Sequence, residues 1–220
     1  MSKPSIFSHE SEKYLERLNF PLATENGAFY YSKEIVENII PRIKTNRNWV
    51  TVNVRGQCFN HSIVFIHNNK HPEMYDWLAK YQDLILVCSI RETCEKMRRM
   101  FPKFYVIYVP LSVDVRYIKK FKKKQKTKEC AFAGRSSKKT TTLPKGIDYL
   151  CNMHREHMLE RMSEYKTIYA VGRTAIEAKI LGCEIGIYDY RYHKDIWEIH
   201  DNKDIALYLQ AKLDIIDEKE

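Results

Sequence analysis

Apolar and polar positions along the chain follow two rhythms. Trp49-Val50-Thr51-Val52-Asn53-Val54 puts a β-branched or aromatic residue at nearly every place and alternates in polarity, so a strand is predicted over 49–54. Ser62–His67, Leu84–Cys88 and Tyr105–Val109 are continuous apolar runs, the pattern of strands buried on both faces. Helical spacing separates them at 72–81 and 90–100. Ahead of the first strand, 8–19 reads as a short amphipathic helix and 33–44 as another, with Ser32 as its N-cap and Pro41 ending or kinking it. Strands alternating with helices predict a parallel sheet and a first lobe over residues 1–118.

The rhythm then stops. Residues 119–128 hold seven lysines and almost no core-forming side chain, which predicts a solvated basic linker between lobes. A second alternation follows over 129–220: strand 130–133, loop 134–145, helix 146–163, strand 166–171, helix 173–181, strand 184–188 and a terminal helix at 203–213. The fold class expected is α/β, two Rossmann-like lobes facing a central cleft.

Composition narrows the classes. The chain has 220 residues, 44% of them hydrophobic and 30% charged, as in ordinary globular proteins. No apolar run approaches the roughly 20 residues that span a bilayer, and the N-terminal residues lack a signal-peptide core, so a cytoplasmic location is expected. Six cysteines are scattered without metal-type spacing, and Cys88 and Cys130 sit inside apolar runs; buried thiols are expected, without disulfides or a metal site. The formal charge of +9 favours an anionic partner, whether nucleic acid, a membrane surface or a phosphorylated substrate.

Candidate chemistry concentrates at 167–189, where a buried strand meets a Gly172-Arg173-Thr174 turn, a short helix, and a further strand after Gly182. Gly172 lets a ligand approach the backbone closely. Thr174 and the unpaired amides of the first helical turn form an anion site. Glu177, one turn in, is suited to accept hydrogen bonds from ribose hydroxyls, and Gly182 is suited to end the helix as its C′ residue. Histidine at the end of a strand, as at His67, occupies the place where open α/β sheets put ligand groups.

Gly172, Thr174, Glu177, Ala178, Gly182 and Ile185 resemble the donor-binding segment of the GT-B glycosyltransferases, in particular the large retaining family of bacterial sugar transferases. That segment runs Gly-x-Ser/Thr-x-x-Glu-Ala-x-x-x-Gly-x-Pro-Val. Glu184 stands where proline is usual, and Tyr169 where the family often has a second glutamate. Phe132-Ala133-Gly134-Arg135, followed by Lys145-Gly146-Ile147-Asp148, resembles the family's strand-Gly-Arg and Lys-Gly-hydrophobic-Asp helix start. The first lobe resembles the acceptor half more weakly, through Ile63–Asn69, Asp83–Ser89 and Val109–Asp114. It is abbreviated, since family members commonly run to about twice this length.

The resemblance implies a hexosyltransferase that moves a sugar from a nucleotide-sugar, UDP-linked by preference, to a hydroxyl acceptor without a metal. Arg135 and Lys145 would stabilise the departing diphosphate, with Lys138 and Lys139 nearby. Gly134, Gly172, Arg173, Thr174 and Glu177 would hold the nucleotide, and His67 would lie by the transferred sugar. A polyanionic acceptor suits the charge: modified DNA, which small enzymes of this fold from bacterial viruses glucosylate, or a lipid or cell-wall phosphate. The alternative is a non-catalytic module of the same fold that binds a nucleotide or a partner.

Overall fold

The computed structural model describes residues 6–7, 27–51, 58–66, 72–134, 142–151, 153–188 and 197–218. The chain divides into two compact units. The first takes Ser32–Pro110 and the C-terminal segment from Lys203, with the strand at Ile6–Phe7; the second takes Leu111–Asn202 and, of the described N-terminal residues, Gly27–Tyr31. The units therefore differ from the expected lobes at both ends. The boundary falls within the Val109–Asp114 turn, and the terminal helix belongs to the first unit.

The first unit holds a five-stranded sheet in the order β1-β2-β3-β4-β5. Its strands are β1 (Ile6–Phe7), β2 (Asn48–Val50), β3 (Ser62–Ile66), β4 (Leu84–Cys88) and β5 (Tyr105–Tyr108). Every pair is parallel. Val64, Ile66, Leu84, Leu86 and Cys88 face one core, shared with Tyr75 and Leu78 and with Cys94, Met97 and Phe101. The intervening Ile63, Phe65, Ile85 and Val87 are equally buried, on the other face. Burial of both faces is the reason these strands read as unbroken apolar runs.

Helix α1 (Gly27–Glu34) runs on through a π-helical turn at Ile35–Ile39 into a 3-10 turn at Ile40–Arg42. The expected helix over 33–44 is thus the tail of one that starts earlier. Ser32 lies within it rather than at its N-cap, and its hydroxyl donates to the Thr51 carbonyl at 2.8 Å. Pro41 sits where the 3-10 turn begins, a position that needs no amide hydrogen. The segment Pro72–Lys80 forms a 3-10 helix, and α2 spans Arg91–Met100. The expected helix at 8–19, the strand positions Val52–Val54 and His67 lie outside the described residues.

At the N-terminal edge of this sheet, Arg47 is fully buried. It donates from Nη1 to Asp83 at 2.6 Å and from Nε to Asp217 at 3.2 Å. His61 also pairs with Asp83 through Nδ1. Burial works against the charged form of Asp83, but the hydrogen bonds from Arg47 and His61 outweigh it and hold the carboxyl below the usual carboxylate range.

The second unit holds a four-stranded sheet in the order β7-β6-β8-β9, again parallel throughout. The strands are β6 (Lys128–Ala133), β7 (Asp148–Leu150), β8 (Tyr165–Tyr169) and β9 (Glu184–Gly186). Its helices are α3 (Val115–Lys119), α4 (Arg155–Met162) and α5 (Arg173–Ile180). Helix α6 (Asn202–Asp217) closes the chain, longer than the 203–213 expected. Asp114 caps α3, its carboxylate accepting the Tyr117 amide hydrogen at 2.8 Å. No helix of the described residues is long and apolar enough to cross a membrane.

Two expectations for this unit are corrected. A single helix over 146–163 does not form. Gly146 takes φ +74°, and Asp148–Leu150 then pairs with Ala131–Ala133 as a strand, so the helix begins only at Arg155. Tertiary pairing overrides the local pattern there. Residues 119–128 are also no linker between lobes, because they lie wholly inside the second unit and are fastened to it. Lys126 donates to the Ser163 and Leu181 carbonyls at 2.9 and 2.8 Å, the C-terminal ends of α4 and α5.

Candidate nucleotide site

The site is built where the second sheet changes direction. The chain leaves β6 for β7 on one side, then returns across β6 to place β8 on the other. β6 and β8 are thus followed by strands on opposite sides of the sheet, and open α/β sheets bind ligands in the crevice at such a reversal, outside the carboxyl ends of the strands. Gly134 follows β6 directly, and Gly172 comes three residues after the end of β8.

Gly172 has φ +65° and ψ −140°, a conformation that side chains disfavour, and a Cβ built on it would meet nothing within 4 Å. The glycine is therefore required by the backbone turn, and open space lies beside it. Its carbonyl accepts from the Ala175 and Ile176 amides at 3.0 and 3.2 Å, which starts α5 at once. The amides of the first turn and the half-buried Thr174 belong to the helix end that attracts anions. At its other end α5 stops as expected: Cys183 donates to the Ala178 carbonyl and Gly182 to that of Lys179, both at 2.9 Å, with Gly182 at φ +80°.

Glu177 and Arg173 are both buried, and Arg173 Nε donates to Glu177 Oε1 at 2.8 Å. Arg155, the first residue of α4, reaches the same oxygen through Nη2 at 3.1 Å. The helix spacing of four residues explains the first contact. The second joins positions 22 apart and had no sequence signal, since the expected long helix gave Arg155 no terminus to occupy. Glu177 is thus held in one orientation by two guanidiniums, and both use a single carboxylate oxygen.

Tyr169, where the resembled family often carries a second glutamate, packs its ring against Gly186 of the neighbouring strand. A Cβ on Gly186 would come within 2.6 Å of that ring. The ring also joins a cluster with Phe132, Leu143, Ile147 and Tyr188. An aromatic contact between strands fills the place of that carboxylate.

Gly134, Gly172, Arg173, Thr174 and Glu177 thus all fall at or just beyond the C-terminal ends of β6 and β8. Lys145 is exposed and lies between Thr142, whose hydroxyl donates to the Tyr188 carbonyl at 2.8 Å, and Asp148, which accepts a hydrogen bond at 2.8 Å from Tyr165, the residue that opens β8. Arg135, Lys138, Lys139 and His67 lie outside the described residues. Of the cysteines, Cys88, Cys94 and Cys183 are buried, whereas Cys130 is only partly so.

No family model matches the chain, and neither do any curated protein or solved structure.

Proposed function

We propose that the second unit binds the diphosphate of a nucleotide at the ends of β6 and β8, and that the protein is a glycosyltransferase using a nucleotide-sugar donor. The reversal of strand order between these two strands, with Gly172 starting a helix beside it, is the observation that carries the reading. In this scheme the first-turn amides of α5 and the Thr174 hydroxyl hold one phosphate, and Arg135 neutralises the other. Glu177, oriented by Arg173 and Arg155, offers the ribose hydroxyls the carboxylate oxygen that these arginines leave. As the sugar leaves, charge grows on the diphosphate oxygens, and preorganised donors there lower the barrier. The first unit serves the acceptor, and a polyanionic acceptor matches the formal charge of +9.

The second reading is a nucleotide-binding module without turnover. It is favoured by one observation, the Tyr169 ring packed on Gly186 where the resembled family often carries a second glutamate, which leaves the transferred sugar without that carboxylate. A single experiment separates the two. The protein is incubated with UDP- and GDP-sugars while released nucleotide is assayed and the melting temperature is followed. Release of UDP or GDP supports the transferase. Thermal stabilisation without release supports the module, and neither effect removes the nucleotide from both readings.

A further inference from the structure

The lysines of 119–128 are not needed for the nucleotide reading, yet the fold holds them in defined places. Seven lysines fall within these ten positions, and no carboxylate does. The segment is tied to the second unit at several points. Lys126 binds two helix-terminal carbonyls, Thr127 and Lys128 donate their amides to the Glu164 carbonyl at 2.9 and 3.0 Å, and Lys123 pairs with the Glu164 carboxylate at 2.8 Å. Lys122 lies against Gly182, where a Cβ would come within 3.1 Å of its side chain.

These anchors hold Lys119, Lys122 and Lys124 outward and exposed. Glu164 is shared among Lys123, Lys128 and Arg161, one carboxylate for three cations. With Arg161 and Lys166 the face carries nine cationic side chains against Glu129, Glu160 and Glu164, and against Asp148 and Glu184, which open β7 and β9 at the same edge.

We infer that this face, at the N-terminal edge of the second sheet, binds the phosphate backbone of a nucleic acid without reading its sequence. Charge complementarity is the basis, since ordered ammonium groups neutralise successive phosphates and release their counterions. A membrane fits less well. Stable attachment to lipid takes an apolar anchor besides basic residues, and the exposed large apolar side chains of the described residues include none between 119 and 128. The strands point their carboxyl ends the other way. The face therefore tethers the protein to a polymer while the nucleotide site lies at the opposite end of the same sheet. The inference does not rest on the nucleotide reading.

The test uses the full chain and a fluorescent duplex of about 20 base pairs, with affinity measured by anisotropy over a range of salt. The variant Lys119→Gln/Lys122→Gln/Lys124→Gln is expected to bind more weakly. Its log–log salt slope should be flatter by about two to three, near 0.9 for each phosphate that is no longer neutralised. A matched variant, Lys33→Gln/Lys96→Gln/Lys212→Gln, takes three cations from the first unit and is expected to leave the slope as it was. Melting temperatures check that both fold. An equal fall in affinity in both variants overturns the inference in favour of diffuse net charge. No duplex binding at low salt also overturns it, as does binding to phosphatidylserine vesicles that duplex fails to compete. UDP binding, measured alongside, is expected to survive the triple substitution; its absence from the wild type would remove the nucleotide reading alone.

Discussion

Replacing Gly172 by alanine separates a backbone requirement from a binding one. Its φ of +65° and ψ of −140° are open to glycine and strained for any L side chain, by about 1–3 kcal/mol. Since an added Cβ meets nothing within 4 Å, no clash adds to that cost. The methyl group enters the space beside the start of α5, and relief of strain turns the first-turn amides. Losing one hydrogen bond to a charged phosphate costs about 1.5–3 kcal/mol. At about 1.4 kcal/mol per tenfold, UDP affinity should fall roughly 10- to 150-fold. Gly146 supplies the internal control. It also has positive φ, at +74°, and open space around it, but it lies before β7 rather than after β8. Urea denaturation should show both Gly172→Ala and Gly146→Ala destabilised, while calorimetry with UDP should show weakened binding only for the former. Equal UDP affinity in Gly172→Ala and wild type, with the stability loss present, would refute the assignment of this turn to the phosphates.

Further predictions concern the cationic side chains that hold each unit. Asp83→Asn strips a partner from the buried Arg47 and should cost more than Arg47→Met, which leaves Asp83 and Asp217 about two-fifths exposed and able to hydrate. Breaking a buried pair from one side costs about 3–5 kcal/mol, so Asp83→Asn should approach the lower part of that range by denaturant titration. Because the folded Asp83 carboxyl is held below its ordinary 3.8, its contribution is complete above that pH and is lost as pH falls through the lowered value. The acid limb of the wild-type stability profile below about pH 4 should therefore be shallower in Asp83→Asn. Lys126→Met removes charged hydrogen bonds to the Ser163 and Leu181 carbonyls and should destabilise the second unit by about 1.5–3 kcal/mol in urea, with UDP affinity kept at 50 mM salt or so.

The central strands of the first sheet were legible in the sequence because burial on both faces writes itself as continuous apolar runs. β3, β4 and α2 fall within a residue or so of the spans that periodicity predicts. What local pattern could not show was pairing. Asp148-Tyr149-Leu150 carries one buried residue in three, too little for either period, and becomes a strand only because Ala131–Ala133 offers an open edge. The lysine run read as a tether because no local feature shows that Lys126 meets two helix ends 37 and 55 residues away. At the candidate site, Gly172 and Gly182 were legible since each performs a task of its own backbone. The partners of Glu177 were half legible: Arg173 lies one turn before it, whereas Arg155 comes from a different helix.

The two sheets also explain why the ligand chemistry is assigned to one unit. In the first, β1 to β5 lie side by side in sequence order. The connections through Pro72–Lys80 and α2 share one core. Such a sheet has no reversal at which a crevice must open. In the second, the strand order reverses between β6 and β8, and α5 starts just beyond β8 with its positive end there. The opposite edge collects the negative ends of α4 and α5, and Lys126 meets their carbonyls there. In the proposed scheme the same polarity of parallel strands and returning helices separates two anion-binding tasks. At the carboxyl edge, backbone amides suit a compact phosphate pair; at the amino edge only side-chain cations can hold an anion, and long lysines spread over a surface suit a polymer.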